Sequence, residues 1–142
     1  MDNKKINITT YNCKHFITDG DKFEFVKTLF QSSHFLLLQE LWLYESEFDK
    51  LLTLGKHCDF TATTAMDESS HRLGRKYGGT AIVWDSTIKG SITRINFENN
   101  RLCGVLFTKE NLCMLIINVY MPYDRSINDD EYIDVLNVIS QP

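Results

Sequence analysis

The run Phe35-Leu36-Leu37-Leu38, closed by Gln39-Glu40, constrains this chain more than any other stretch. Successive strand residues point to opposite faces, so an unbroken apolar run reads as a central strand covered on both sides. The flanking patterns supply candidates for that cover. From Asp21 the period is helical: Phe23, Val26, Leu29 and Phe30 share one face, and Asp21 with Glu24 has the form of a capping box. Tyr44 to Leu54 returns to helical spacing, with Phe48, Leu51 and Leu52 on one side. Upstream, Lys5 to Asn12 alternates apolar and polar residues as a strand with one buried face does.

After Cys58 the texture becomes β-rich. Phe60 to Ala65, Thr80 to Trp84, Ser91 to Phe97, Leu102 to Thr108 and Leu112 to Tyr120 read as strands rich in Ile, Val, Thr and aromatics. Lys109-Glu110-Asn111 is a turn signal, which makes Leu102 to Tyr120 a hairpin. A polar loop occupies the stretch between Met66 and Tyr77. The chain closes on a helix capped at Asn128 and Glu131, with Tyr132, Val135, Leu136 and Ile139 as its apolar stripe. Strand, helix, strand, helix, then strands and a last helix is an α/β (α+β) sandwich order, with helices outside packed sheets. The 142 residues are read as one unit, 1–142, since no repeat, low-complexity run or linker interrupts them.

Met1-Asp2-Asn3-Lys4-Lys5 leads directly into strand-like residues with no apolar signal core, so secretion from this end is not expected. The longest apolar run, Leu112 to Tyr120, is far short of the roughly 20 residues of a membrane span. The expected location is nuclear or cytoplasmic, with no membrane partner. Cys13, Cys58, Cys103 and Cys113 lack C-x-x-C spacing and zinc-spaced histidines. A Cys103–Cys113 disulfide is disfavoured in a reducing compartment. The net charge of −4 argues against binding nucleic acid through bulk charge, but leaves room for a local basic loop.

Three polar residues fall where strands end: Asn12, Glu40 and Tyr120. A carboxylate directly after an apolar run is costly to bury without a partner, and a hard divalent cation is one natural partner. Two readings stay open on pattern alone. Glu40 is either a metal ligand or a solvated residue at the sheet rim. Asn12 and Tyr120 are likewise either site residues or a turn residue and an edge aromatic.

Four stretches in order narrow the choice: Ile8 to Lys14 (ITTYNCK), Phe35 to Leu43 (FLLLQELWL), Gly74 to Trp84 (GRKYGGTAIVW) and Ile117 to Pro122 (INVYMP). Together they resemble the endonuclease/exonuclease/phosphatase superfamily, nearest the apurinic-like endonuclease domain of LINE (non-LTR) retrotransposons, and the likeness spans nearly the whole chain. The resemblance implies the N-terminal half of a two-sheet DNase I-like fold. It makes Glu40 the metal-binding glutamate for Mg2+ or Mn2+, and Asn12 the asparagine ending the first strand. Tyr120 then orients the scissile phosphate and Asn118 is the structural asparagine before it. The implied activity is hydrolysis of DNA phosphodiesters, with no small-molecule cofactor. A phosphoesterase of the same superfamily and a non-catalytic DNA- or metal-binding relic are the alternatives.

The same resemblance places further catalytic residues downstream: an Asp-x-Asn pair, another aspartate and a Ser-Asp-His group. None of these can be assigned within residues 1–142. Asp124, Asp129 and Asp130 read instead as solvated acids and helix N-terminal charges. The expectation is an incomplete domain, inactive or weakly active by itself, whose single sheet has an uncovered inner face. Ile82, Trp84, Leu106, Ile116 and Val119 are the candidates for that face. His71, Arg72, Arg75 and Lys76, the densest basic cluster, are the expected nucleic-acid contacts, with Gly78-Gly79 allowing a tight start to the next strand.

Overall fold

The computed structural model describes residues 5–69, 74–121 and 129–140. Seven strands are present among them: β1 (Ile8–Asn12), β2 (Phe35–Gln39), β3 (Cys58–Thr63), β4 (Thr80–Asp85), β5 (Ser91–Ile95), β6 (Leu102–Lys109) and β7 (Leu112–Val119). Two α-helices, α1 (Gly20–Gln31) and α2 (Asp129–Ser140), and a 3-10 helix, Glu45–Leu54, complete the order. One sheet runs β1-β2-β4-β3 and the other β5-β6-β7. Strand β2 is central: it pairs in parallel with β1 and antiparallel with β4.

The apolar run of β2 is divided between two interiors. Leu36 and Leu38, with Ala81 and Val83 of β4, pack against Phe23, Val26 and Phe30 of α1 and Phe48, Leu51 and Leu54 of the 3-10 helix. Phe35 and Leu37, with Ile82 and Trp84, face the second sheet and meet Cys103, Val105, Phe107 and Ile116. Phe35 sits edge-on to Phe107, with ring centroids 5.3 Å apart. The α/β sandwich is therefore formed with both sheets present, and the expected uncovered inner face is not observed. Ile82, Trp84 and Ile116 are buried between the sheets. Val119 and Leu106 fall on the opposite face of their sheet, because Cys103, Val105 and Phe107 take the inner parity of β6 and Asn118 and Ile116 that of β7.

Local geometry explains the remaining departures. Glu45–Leu54 is a 3-10 helix, whose three-residue turn puts Phe48, Leu51 and Leu54 on the buried side. The 3.6-residue period would place Leu52 there; Leu52 is exposed instead. Helix α1 starts one residue before Asp21, at Gly20 after Asp19, so Asp21 lies in the first turn beside the helix dipole and no side-chain cap forms. Strand β3 begins at Cys58, two residues ahead of the expected Phe60, where its pairing with Asp85 of β4 starts. Strand β5 ends at Ile95, and β1 begins at Ile8. Among the described residues of α2, Leu136 and Ile139 are exposed; Asn128 lies outside the described residues. All four cysteines are free. Cys103 takes the inner parity of β6, Cys113 the outer parity of β7, which forbids a bond between them. Burial pushes the Cys13, Cys58 and Cys103 thiols up to about 12. No helix among the described residues is long and apolar enough to cross a membrane.

The two faces of the second sheet make opposite predictions. Phe107 is fully buried, so Phe107→Ala should cost about 3–5 kcal/mol of unfolding free energy. Leu115 on the outer face is 53% exposed, and Leu115→Ala should stay within about 0.5 kcal/mol. Urea titrations of the two variants check both, and a reversed order would put the second sheet on the wrong face.

Candidate active site

The parallel pairing of β1 with β2 brings their C-terminal ends together, with Asn12 opposite Gln39. Backbone bonds continue past the strands: Cys13 N donates to Gln39 O, His15 N to Glu40 O and Phe16 N to Leu41 O, at 2.8–2.9 Å. Both segments then turn through the left-handed region, at Lys14 (φ 46°), His15 (φ 85°), Glu40 (φ 52°) and Trp42 (φ 57°). Non-glycine residues avoid that region, and its use here by four of them marks a functional or tightly determined turn. Gly78 and Gly79 hold the other side of the turn, since their carbonyls accept from Trp42 N and Leu41 N. Both have positive φ, and a Cβ at Gly79 would come 3.2 Å from the Leu41 Cβ. The tight strand start read from this glycine pair is what the backbone adopts.

Glu40 leaves β2 half-buried at this rim, and its Oε1 accepts a 3.0 Å hydrogen bond from the Tyr120 hydroxyl. Tyr120 is itself fixed by Arg101: Tyr120 N donates to Arg101 O, and Arg101 Nη1 donates to Tyr120 O at 3.2 Å. The guanidinium also lies 5.9 Å from the Tyr120 ring centroid. Asn12 is exposed, and its Oδ1 accepts from Lys14 N at 3.0 Å, closing the turn after β1.

Beneath this rim lies Asn118, 2% exposed and between the sheets. Its Nδ2 donates to Leu38 O at 2.9 Å and to Ala81 O at 2.7 Å. Its Oδ1 accepts from Gln39 Nε2 at 2.9 Å, and Gln39 also donates to Thr10 Oγ1 at 2.8 Å. One side chain thus joins β7 to β2 and β4. Among the described residues no buried side-chain polar atom is left without a partner.

Glu40, Asn12, Asn118 and Tyr120 are therefore gathered at one end of the sandwich from three separated segments. The basic loop divides. His71 and Arg72 lie outside the described residues. Arg75 is exposed, and Lys76 stands over the Tyr44 ring with its ammonium 3.7 Å from Glu47. Sequence reasoning missed Gln39 as the link to Asn118, although it adjoins Glu40. It also missed Arg101, which sits in an ordinary-looking turn and carries no local signal. Residues that could hold a divalent cation are the Glu40 carboxylate and the Asn12 amide oxygen. One carboxylate with neutral oxygens suits Mg2+, which keeps several waters and shares substrate phosphate oxygens.

Asn118 carries the firmest test of this geometry. Asn118→Ala removes its bonds to Leu38, Ala81 and Gln39 in a dry interior, and should cost about 2–4 kcal/mol. A denaturation midpoint equal to wild type would show that the amide does not join the sheets.

No family model and no curated protein matches this sequence. Among solved structures, it is similar to the endonuclease domain of TRAS1, a telomere-specific non-LTR retrotransposon, with a TM-score of 0.61 at 13% identity. The likeness covers 96% of this chain and 56% of that one, so the chain spans little more than half of its structural neighbour's length. The shared feature is the fold, a DNase I-like arrangement of two packed sheets with outer helices.

Proposed function

We propose that this chain is part of a metal-dependent DNA endonuclease domain of the LINE retrotransposon type, with Glu40 as its metal ligand. The observation that carries the reading is the Glu40 carboxylate in a left-handed turn at the end of β2, bonded to Tyr120 at 3.0 Å. Fold likeness to a retrotransposon endonuclease domain supports it. A carboxylate beside a phenol and an amide is an arrangement that can take a phosphodiester: the carboxylate through a cation, the phenol and amide through hydrogen bonds. A Mg2+ or Mn2+ ion would neutralise charge on the phosphate and on the leaving oxygen. Asn12 and Tyr120 would then orient the phosphate, while Asn118 keeps Tyr120 in place from within the core. The aspartate and histidine expected to complete such a site have no counterpart assigned in this chain.

Three measurements test the reading. Glu40→Gln keeps the shape and removes the charge, so Mg2+ or Mn2+ affinity should fall by at least about 10–100-fold. Equal affinities by calorimetry would remove Glu40 from the site. Where plasmid nicking is detectable, in a chain that includes the rest of the domain, Tyr120→Phe should lower the rate by about 10- to 150-fold. That is the size of a hydrogen bond to a charged group. Binding without any metal-dependent nicking in that longer chain would favour a binding module instead. Finally, Arg75→Ala with Lys76→Ala should flatten the salt dependence of DNA binding, by about 0.9 in log–log slope for each phosphate no longer neutralised. An unchanged slope would move the DNA surface elsewhere.

A further inference from the structure

The phosphoester chemistry at Glu40 makes no use of the aromatic pair beside it. The rings of His15 and Trp42 are stacked, with centroids 5.5 Å apart and planes 22° from parallel. They come from different turns, one after β1 and one after β2, and both residues have positive φ. His15 N donates to Glu40 O, while Trp42 N donates to Gly78 O. The pair is therefore fixed to the backbone of the metal-ligand candidate on one side and to the glycine turn on the other. Both residues are only half-buried, unlike Trp84, which is 3% exposed between the sheets. A stack built for core packing would be covered by apolar side chains.

Cations gather around it instead. Lys22 Nζ donates to Lys14 O at 2.8 Å, one residue before His15. Lys50 and Lys76 both reach Glu47, at 2.7 and 3.7 Å, and Lys76 lies 5.2 Å from the Tyr44 ring centroid. Lys76, Lys22 and Lys50 all act electrostatically on the His15 ring, with Glu47 opposing them. Three lysines against the carboxylates of Glu47 and Glu40 leave a small positive excess about an accessible aromatic surface, in a chain of net charge −4. Aromatic faces within a cationic groove are what binds single-stranded nucleic acid: bases stack on the rings while lysines track the phosphates. A paired base inside a duplex offers no free face, so only an unpaired or splayed base can use such a platform.

We propose that the His15–Trp42 stack, framed by Lys22, Lys50 and Lys76, is a subsite for an unpaired DNA base next to the phosphate at Glu40. This rests on the nuclease reading for the nature of the ligand, but not on metal binding. The subsite selects strands that are open, frayed or distorted beside the cut over continuous duplex.

The test uses the 142-residue chain in EDTA, with a short oligothymidylate and a hairpin duplex of the same length as probes. Trp84 is buried, so quenching of tryptophan emission by the single strand reports on Trp42. Trp42→Phe should keep the affinity and lose the quenching. Trp42→Ala should weaken the single strand about 5- to 150-fold, the range for loss of one stacked base, and change the duplex by less than about twofold. Because EDTA removes any metal contribution, the single-strand affinity is read without the metal site, and failure of the metal site and failure of the stack read separately. Wild-type emission that does not change at saturating oligothymidylate would overturn the proposal. So would a Trp42→Ala variant with an unaltered melt and unaltered affinity, or an equal loss on both probes. If Trp42→Ala does not fold, the quenching lost in Trp42→Phe decides alone.

Discussion

The carboxamide of Asn118 is a polar group placed where the two sheets would otherwise meet through apolar side chains alone. Burying an amide without partners costs several kcal/mol, roughly 2–7 depending on the reference state. Here both of its donors and its oxygen are engaged, by Leu38, Ala81 and Gln39. Apolar contacts tolerate a sliding of one sheet on the other, because dispersion has little direction. Three hydrogen bonds to fixed backbone and side-chain atoms do not. Tyr120 follows Asn118 by two residues, and the strand period of two directs both toward the same side. The bonds that tie β7 to the other sheet thereby also help bring the Tyr120 hydroxyl to Glu40.

The rim of the site is built from backbone that side chains ordinarily avoid. Left-handed conformations at Lys14, His15, Glu40 and Trp42 cost of the order of 1 kcal/mol or more each. They are held by a continuous set of backbone bonds from β1 through Glu40 and Leu41 to Gly78 and Gly79. Without those turns the strand geometry would carry Glu40 and Trp42 along the sheet. With them, the carboxylate reaches Tyr120 and the indole meets His15. The rigidity of the packed sheets below allows this strain to persist, since the turns cannot relax without breaking the pairing of β1 with β2.

Charge is distributed on the same plan. The acidic total would repel a polyanion at long range, yet Glu47 draws Lys50 and Lys76 to the site rim. Burial alone would raise the Glu47 pKa, but its hydrogen bonds to Lys50 and to Tyr44 N outweigh that and hold it below its usual value. The carboxylate therefore stays ionised and holds two ammonium groups that act on His15. Beyond a Debye length of about 8 Å at physiological ionic strength the overall charge is screened, so the field at the site is set by its nearby lysines and carboxylates.

Sequence alone separated helical from strand segments, because hydrophobic period and β-branched composition are local properties. The continuous run of β2 demanded cover on both faces, and the wording around Glu40 and Gly78-Gly79 carried the resemblance that the fold likeness matches. It could not separate a 3.6-residue from a 3-residue turn at Glu45–Leu54, since Leu51 serves either period and only packing chose Leu54 over Leu52. Nor could it assign the faces of β6 and β7, because Leu106 and Val119 are as apolar as the side chains that point inward. That assignment came from Asn118, whose partners lie 37 to 80 residues away in the chain. The Glu40–Tyr120 bond and the His15–Trp42 stack are likewise long-range. Sequence names the residues that could form them, but only the packing of two sheets, which fixes distance and direction together, decides that they meet.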